Sequence, residues 1–360
     1  MTESEEITGL ISKKFFLNQY IYNDIYVKIG KQECEFCDCL MEFGGVYICI
    51  QIKERNPNAE GSSKRWFDDK VRGLAKSQLK KTIKYFKDTS NTIFSKSSEL
   101  SLDRSKTIIP VIVFVNADII AYDRIVYSKS LQTIINIFSY EDFKTMLETI
   151  VIPCDIITYL QYRVAFKKSD EGKMIFDEAD ENATLLFRPE CEKDYAQMFL
   201  MRTYHKSIIK QGVKEEYVDF YNSILLQMNE KTGCIRSDFI EGFLQVDYER
   251  ADIIARNWIK CVDSAKSEKY IAPFVFSLKN RVYMFFSHPQ SMTREVFQYK
   301  LNLCLVYYKY KHVSIDKAHI LEFSNEKGND YSVNLYDIDM NIGIPYEKLI
   351  ADAKTFFESK

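Results

Sequence analysis

The segment from residue 35 to residue 53 holds the side chains best suited to metal-assisted chemistry. One aspartate, Asp38, lies inside an otherwise apolar run, and the triplet Gln51-Ile52-Lys53 follows. A carboxylate and an amide oxygen suit Mg²⁺, which takes few protein ligands and fills its other positions with water and phosphate. A lysine beside the cation can orient the attacking hydroxide or neutralise developing negative charge. These residue types favour Mg²⁺-assisted or Mn²⁺-assisted chemistry on a phosphate group.

A β-hairpin must bring these residues together. Gly44-Gly45 predicts a two-residue type I′ turn, which needs positive φ at both central positions. With those glycines as the turn, Phe43 faces Val46 and Asp38 lies directly opposite Gln51. Side chains of directly opposed residues have Cβ atoms about 5 Å apart, so both oxygens can reach one cation, and Lys53 projects from the same face.

The alternation of side chains supports that register. One face is apolar or compatible with a core, and the other carries the polar groups. The first face holds Cys37, Cys39, Met41, Phe43, Val46, Ile48, Ile50 and Ile52, and the second holds Phe36, Asp38, Leu40, Glu42, Tyr47, Cys49, Gln51 and Lys53. A slip of one residue would place Asp38 in the core, so the register is well specified.

This arrangement resembles the PD-(D/E)XK superfamily of restriction-endonuclease-like nucleases, in its Q-x-K variant. Asp38 and Gln51-Ile52-Lys53 match the family motif over roughly residues 1–130. The resemblance implies an α-β-β-β-α-β core, divalent-metal cleavage of nucleic-acid phosphodiesters, and a role in defence against foreign DNA or in DNA repair. It also implies catalytic roles for Asp38, Gln51 and Lys53, with Asp38 and Gln51 as metal ligands.

The sequence departs from the family pattern at two positions. Cys37 stands where the family name has proline, and Gln51 replaces an acid, which lowers the expected affinity for metal. The family often adds an acid from the first helix, here predicted over residues 3–14. Glu3, Glu5 and Glu6 are candidates, and Glu6 is preferred as a further metal ligand.

A basic helix is predicted directly after the hairpin, over residues 66–87. Its apolar stripe comprises Phe67, Val71, Leu74, Ala75, Leu79, Thr82, Ile83 and Phe86. Lys76, Lys80 and Lys84 form a row beside the stripe. From Lys53 to Lys87 there are eleven basic and four acidic residues, a local net charge of +7 on a chain of net charge −2. Such a patch suits a nucleic-acid backbone, DNA more than RNA. Gln78 is either a core glutamine satisfied by the backbone or a group that supports the site.

The composition favours a cytoplasmic globular protein. Of 360 residues, 46% are hydrophobic and 28% charged, which argues against disorder. The nine cysteines are odd in number and scattered, so a secreted disulfide framework is not expected. No apolar run is long enough to span a membrane, and the N-terminus does not resemble a secretory signal.

The predicted fold class is α/β, with a restriction-endonuclease-like mixed central sheet flanked by helices, followed by a second α+β domain. The expected division is a nuclease-like domain over residues 1–168, an acidic linker or insertion over 169–193, and a C-terminal α+β accessory domain over 194–360. Strands are expected at 108–116 and 124–127, and helices at 140–150, 155–166, 194–211, 215–229 and 236–266. A hairpin at 271–287, a helix at 293–311, two short strands around 327–330 and a helix at 346–358 complete the prediction.

Several alternatives remain open at this stage. The polar face of the hairpin can be a solvated surface, and the basic row can be an ordinary solvated helix face. Cys34, Cys37 and Cys39 suggest zinc, but no second C-x₂-C exists to complete four ligands. Tyr159 and Arg163 suit either nucleic acid or, more plainly, packing and a salt bridge. The chain can also be an inactive nuclease-fold module that binds nucleic acid or a protein. A homo-oligomer or a regulatory partner, engaged by the C-terminal half, is a further option.

Overall fold

The computed structural model shows an α/β protein with two compact units, residues 1–250 and 251–360. The structure describes residues 8–9, 14–95, 98–166, 173–175, 184–186, 190–210, 212–234, 237–267, 269–312, 314–325, 331–340 and 347–358. The preferred first-helix acid, Glu6, and the alternatives Glu3 and Glu5 lie outside the described residues. So does most of the predicted linker at 169–193.

Unit 1 is built around an eight-stranded mixed sheet with the strand order β5-β4-β1-β2-β3-β6-β8-β7. The pairs β3–β6 and β6–β8 are parallel and the others are antiparallel. The strands are β1 (Ile21–Ile29), β2 (Gln32–Phe43), β3 (Val46–Glu54), β4 (Thr92–Ser95), β5 (Ser98–Glu99), β6 (Thr107–Val115), β7 (Ile125–Ser128) and β8 (Thr133–Ser139). A separate two-stranded ribbon joins β9 (Lys173–Ile175) to β10 (Thr184–Leu186).

The β2–β3 hairpin has the predicted turn position but a different turn geometry. Gly44 has a φ of 50°, whereas Gly45 is not among the residues with positive φ. A positive φ at the first central position alone is the pattern of a type II′ turn, so the type I′ prediction was wrong. Both turn classes match the twist of the strands, and the pairing register is therefore unaffected.

A long helical segment covers the second face of the hairpin. It consists of α1 (Ser63–Trp66), a π-helical stretch (Phe67–Ala75) and α2 (Lys76–Lys87). Its apolar side packs with strand residues such as Leu40, Tyr47 and Cys49. This face is therefore a second core surface, not a solvated one. The other face is buried as well, since Met41, Ile48 and Ile50 are at most 1% exposed.

The π-helical stretch changes which residues face the sheet. Phe67, Val71 and Ala75 are buried as predicted, but Leu74 is 45% exposed. Hydrogen bonds from residue i to i+5 put more residues in each turn than an α-helix has. Leu74 is thereby turned away from the stripe that α-helical spacing predicted.

The remaining helices of unit 1 follow β8 in the chain, and the first two of them pack on β8. Ser139 caps the helix that follows β8, accepting a hydrogen bond from the Asp142 N–H (3.1 Å), as predicted. Pro153 opens the next helix. The single helix predicted at 236–266 is two, because the chain breaks after Leu244. These helices are α3 (Tyr140–Ile150), α4 (Pro153–Phe166), α5 (Glu192–Lys210), α6 (Glu215–Lys231) and α7 (Asp238–Leu244), with α8 (Tyr248–Ser267) crossing into unit 2.

Helix α5 is tied to the sheet domain by a buried ion-pair network. Glu192 is 0% exposed and accepts hydrogen bonds from Arg124, Arg163 and Tyr159. This confirms the packing and salt-bridge role predicted for Tyr159 and Arg163. Residues 194–250, which the sequence analysis grouped with the C-terminal domain, belong to unit 1.

Unit 2 contains a four-stranded sheet with the order β11-β12-β13-β14, in which β12 and β13 are parallel. Its predicted strands and helices are observed within a few residues of the expected bounds. They are β11 (Phe274–Leu278), β12 (Arg281–His288), α9 (Arg294–Lys311), β13 (Lys317–Asn325), β14 (Tyr331–Asp339) and α10 (Glu347–Glu358). Thr293 caps α9. The prediction of a mixed central sheet with helices, and of a second smaller sheet, is confirmed.

Candidate functional site

The candidate site lies where β2 and β3 part. Five residue pairs join the strands, from Phe43↔Val46 to Cys39↔Ile50, in the predicted register. Asp38 and Gln51 occupy the next position on each strand. Beyond that point β3 remains paired with β6, and β2 remains paired with β1. The divergence opens a gap between two strands that are otherwise central in the sheet.

Where the two strands diverge, the side chains of Asp38 and Lys53 form hydrogen bonds with the N–H and the C=O of Ile52, which β2 no longer pairs. The Ile52 N–H donates to Asp38 Oδ2 (2.6 Å), and Lys53 Nζ donates to the Ile52 carbonyl oxygen (2.7 Å). Lys53 Nζ also lies 3.5 Å from Gln51 Oε1. The structure therefore brings the side chains of Asp38, Gln51 and Lys53 close to Ile52. Gln51 is 1% exposed, while Asp38 and Lys53 are half-buried.

The strand on the other side of β2 is irregular at the same level. Asp24 has a φ of 53°, and the β1–β2 register shifts between Ile25 and Tyr26. The regular alternation of side chains between the two faces of β2 is lost here, which explains why the prediction for Cys37 was wrong. Cys37 was expected on the face of Cys39, but it packs in the cluster that contains Leu40 and Cys49.

The Asp38 carboxyl has an unusual electrostatic environment. Burial raises its pKa, the hydrogen bond from Ile52 and the charge of Lys53 lower it, and Glu35 raises it again, giving a pKa of about 7. Sequence reasoning missed Glu35, because strict alternation along β2 points residues 35 and 38 to opposite faces. The effect of burial therefore outweighs the positive charge of Lys53, and the carboxyl is not fully ionised at neutral pH.

The site belongs to the carboxyl edge of the parallel strands, where ligands bind in open α/β sheets. The strands β3, β6 and β8 end there at Glu54, Val115 and Ser139. Arg55 shapes the loop that follows β3. Its guanidinium donates to the carbonyl oxygens of Ala59 (3.2 Å) and Gly61 (2.7 Å) and pairs with Asp118 (3.3 Å). The loops after β3 and β6 are thus joined beside the site.

Two arginines of the basic helix form ion pairs with nearby aspartates. Arg65 pairs with Asp69, and Arg72 pairs with Asp68 and Asp123. Lys84 is exposed, and Lys76 and Lys80 are half-buried. Within the described part of the chain, Gln78 Oε1 is buried and has no hydrogen-bond partner. The next turn of the helix is fixed to β2, because Thr82 Oγ1 donates to the Phe36 carbonyl oxygen.

The donor set at the hairpin suits a hard cation and not zinc. Asp38 and Gln51 offer oxygen donors, which Mg²⁺ prefers. All nine cysteines are free thiols, and burial raises the pKa of Cys37, which keeps it protonated. Across the residues that the structure describes, no three His, Cys, Asp or Glu side chains are grouped so that they could hold a metal ion. A metal here would therefore depend on Gln51 and on solvent or phosphate oxygens.

Two further observations set the context of the site. None of the helices among the described residues combines the length and apolar character needed to cross a bilayer. No protein-family model, curated protein or solved structure matches the chain.

Proposed function

We propose that unit 1 is a Mg²⁺-dependent nuclease domain of the restriction-endonuclease-like type, acting on DNA at the end of the β2–β3 hairpin. The observation that carries this proposal is the convergence of Asp38, Gln51 and Lys53 around Ile52. The order of elements supports it: three antiparallel strands, a helix and, after the short strands β4 and β5, a strand parallel to the third.

The residues present fit a divalent cation bound by few protein ligands. Asp38 and Gln51 would hold the ion through their oxygens, and the gap between β2 and β3 leaves room for solvent and phosphate oxygens. When bound, Mg²⁺ supplies a Lewis acid that polarises the phosphoryl group. Burial raises the pKa of the Asp38 carboxyl to about 7, and a cation beside it would favour its ionised form.

Lys53 is placed to act on the substrate. Its ammonium group donates to the Ile52 carbonyl oxygen and lies near Gln51 Oε1, so it is held at the mouth of the gap. From there the charge can stabilise negative charge that develops on the phosphoryl oxygens, or orient the attacking water. Gln51 is buried, and its Oε1 is a second acceptor 3.5 Å from the amine.

Cleavage assays with three variants test the assignment. Purified protein is incubated with plasmid, linear duplex and single-stranded DNA in Mg²⁺ or Mn²⁺. Asp38→Asn keeps an oxygen that accepts the Ile52 N–H but removes the charge, and Lys53→Ala removes the amine. Glu33→Gln is the matched control, since Glu33 is exposed on the same strand. We expect the first two variants to lose cleavage by about 100-fold or more and the control to retain it.

Circular dichroism and thermal unfolding establish that each variant is folded. Cleavage that survives both Asp38→Asn and Lys53→Ala would refute the assigned site. RNA replaces DNA in a parallel series, and preferential cleavage of RNA would refute the assignment of DNA as substrate.

A second candidate function is a nuclease-fold module that binds DNA without cleaving it. The observation in its favour is that Gln51 brings no charge to the site, while Lys53 is already engaged by a carbonyl oxygen. Binding of DNA by the wild-type protein without cleavage in either metal, with the lysines of α2 required for affinity, would favour this candidate over the first.

A further inference from the structure

The loop after β6 presents a nearly bare apolar side chain beside the candidate site. Ile120 is 91% exposed, the highest value among the large exposed hydrophobic residues that the structure describes. Single exposed apolar residues are common on protein surfaces and need no explanation by themselves. Ile120 differs because the residues on both sides of it are firmly held.

On the N-terminal side, the loop is fixed by Asp118 and Ile119. The Asp118 carboxylate accepts hydrogen bonds from Ser63 Oγ (2.5 Å) and from Arg55 (3.3 Å). The Asp118 N–H donates to Asn116 Oδ1 (3.1 Å). Ile119 packs against the sheet core. Two side chains and the main chain therefore hold the loop up to the residue before Ile120.

On the C-terminal side, Tyr122 and Asp123 anchor the loop. The Tyr122 ring lies edge-on to Phe114, with 4.9 Å between ring centroids. Its hydroxyl donates to Asp142 and accepts from the Ser139 N–H (2.9 Å). Asp123 pairs with Arg72 of the π-helical stretch (3.1 Å). Ile120 and Ala121 are left as the tip of a clamped loop.

The loop that carries Ile120 begins beside Lys53 in the sheet. Lys53 pairs with Phe114 in the β3–β6 register, and the Arg55 N–H donates to the Val115 carbonyl oxygen (3.1 Å). The loop therefore starts one strand away from the candidate catalytic lysine. Lys64, which follows Ser63, and Lys70 are exposed on the helix to which the loop is tied, and they supply positive charge for a phosphate backbone.

We propose that Ile120 is a wedge that inserts between neighbouring bases of duplex DNA held at the hairpin site. Proteins that deform DNA insert apolar side chains such as isoleucine between base steps, and a rigid support is needed to hold such a wedge against base stacking. The clamped loop provides that support, and its neighbouring lysines provide backbone contacts. The proposal rests on the proposed function, because it assumes that DNA occupies the site.

Binding measurements in a cleavage-silent background test the wedge. All variants carry Lys53→Ala, and duplex DNA carries 2-aminopurine at successive positions, whose fluorescence rises when bases unstack. Ile120→Ala is compared with the parent, with the conservative Ile120→Leu, and with Tyr127→Ala as control. Tyr127 is also apolar and exposed (56%), but it pairs with Ile134 in the amino half of β8, away from the carboxyl edge.

We expect Ile120→Ala to weaken duplex binding about tenfold and to abolish the fluorescence increase. Ile120→Leu and Tyr127→Ala should keep both signals. Unchanged affinity and fluorescence in Ile120→Ala would overturn the wedge, as would a loss of affinity without any change in fluorescence.

The separate cleavage assay distinguishes this failure from failure of the proposed function. Cleavage by wild-type protein that is indifferent to Ile120→Ala overturns the wedge alone. Duplex unstacking that depends on Ile120, without cleavage by the wild-type protein, overturns the nuclease assignment alone. A protein that binds no nucleic acid overturns both.

Discussion

Substitution of Glu192 tests whether α5 is an integral part of the sheet domain. The carboxylate is 0% exposed and receives hydrogen bonds from Arg163 Nη2 (2.9 Å) and Tyr159 Oη (2.5 Å), with Arg124 as a third donor. Glu192→Ala leaves the Arg163 side chain, only 3% exposed, without its counter-charge. Removing one partner of a buried ion pair costs about 3–5 kcal/mol. Arg124 is 24% exposed and can be rehydrated, so we expect a loss near 3 kcal/mol, the lower end of that range.

Two further variants distinguish the contribution of the ion pair to stability from the contribution of side-chain packing. Glu192→Gln keeps the volume and one accepting oxygen, so its cost should be smaller, about 1–3 kcal/mol. The double variant Glu192→Leu with Arg163→Met leaves no unpaired charge at the position of Arg163, so its cost should be smaller than that of Glu192→Ala, although the Tyr159 hydroxyl loses its acceptor. Glu190→Ala is the control, because Glu190 is exposed two residues away.

Urea unfolding followed by tryptophan fluorescence measures these differences. The chain has two tryptophans, Trp66 in unit 1 and Trp258 in unit 2. A Trp258→Phe background therefore makes the signal specific to unit 1. A free energy of unfolding for Glu192→Ala within about 0.5 kcal/mol of wild-type, the size of an ordinary surface substitution, would refute the argument that this network holds α5 in place.

Other residues give predictions that depend on different parts of the structure. Leu74→Ala should cost less than about 0.5 kcal/mol in urea unfolding, whereas Leu79→Ala, at a position 0% exposed, should cost about 2–5 kcal/mol; equal costs would contradict the π-helical winding. Burial raises the pKa of Asp155 to about 7, so stability should fall as pH rises from about 4 through 7, where the buried carboxyl ionises. Asp155→Asn should flatten that pH dependence, and an unchanged profile in urea unfolding at successive pH values would contradict it. Gln51→Glu places a carboxylate near Lys53 Nζ and should tighten Mn²⁺ binding about tenfold in an EPR titration; unchanged affinity would place residue 51 outside reach of the ion.

The hairpin was predictable because its determinants are local. Two adjacent glycines fix the turn, and the alternation that follows fixes the register from Phe43↔Val46 to Cys39↔Ile50. Local sequence patterns likewise predicted the helix after the hairpin, the buried strand β6 and the capped helix α3. In each case the signal lies within about ten to twenty residues, where periodicity and end signals are informative.

What the sequence did not reveal depends on contacts between distant residues. The strand irregularity at Asp24 is visible only when β1 and β2 are aligned, and it moves Cys37 to the other face and brings Glu35 to Asp38. The π-helical winding that exposes Leu74 has no counterpart in the apolar spacing. Glu192 meets its partners across at least 29 positions of sequence, so the attachment of α5 to unit 1 had no local signal.

The hydrogen bonds to Ile52 give Asp38 and Lys53 a structural role that does not depend on any catalytic activity. Where β2 leaves β3, an unpaired N–H and C=O inside the sheet would each cost free energy, and these two side chains satisfy them. A purely structural role requires only an acceptor for the N–H and a donor for the C=O. It does not require a carboxylate whose pKa is raised toward 7 by burial, because an asparagine at residue 38 would accept the same hydrogen bond without the cost of burying a charge. An acid in that position is what the proposed cation would need. Asp38→Asn therefore separates the two roles: it should leave stability unchanged or raise it, while removing cleavage.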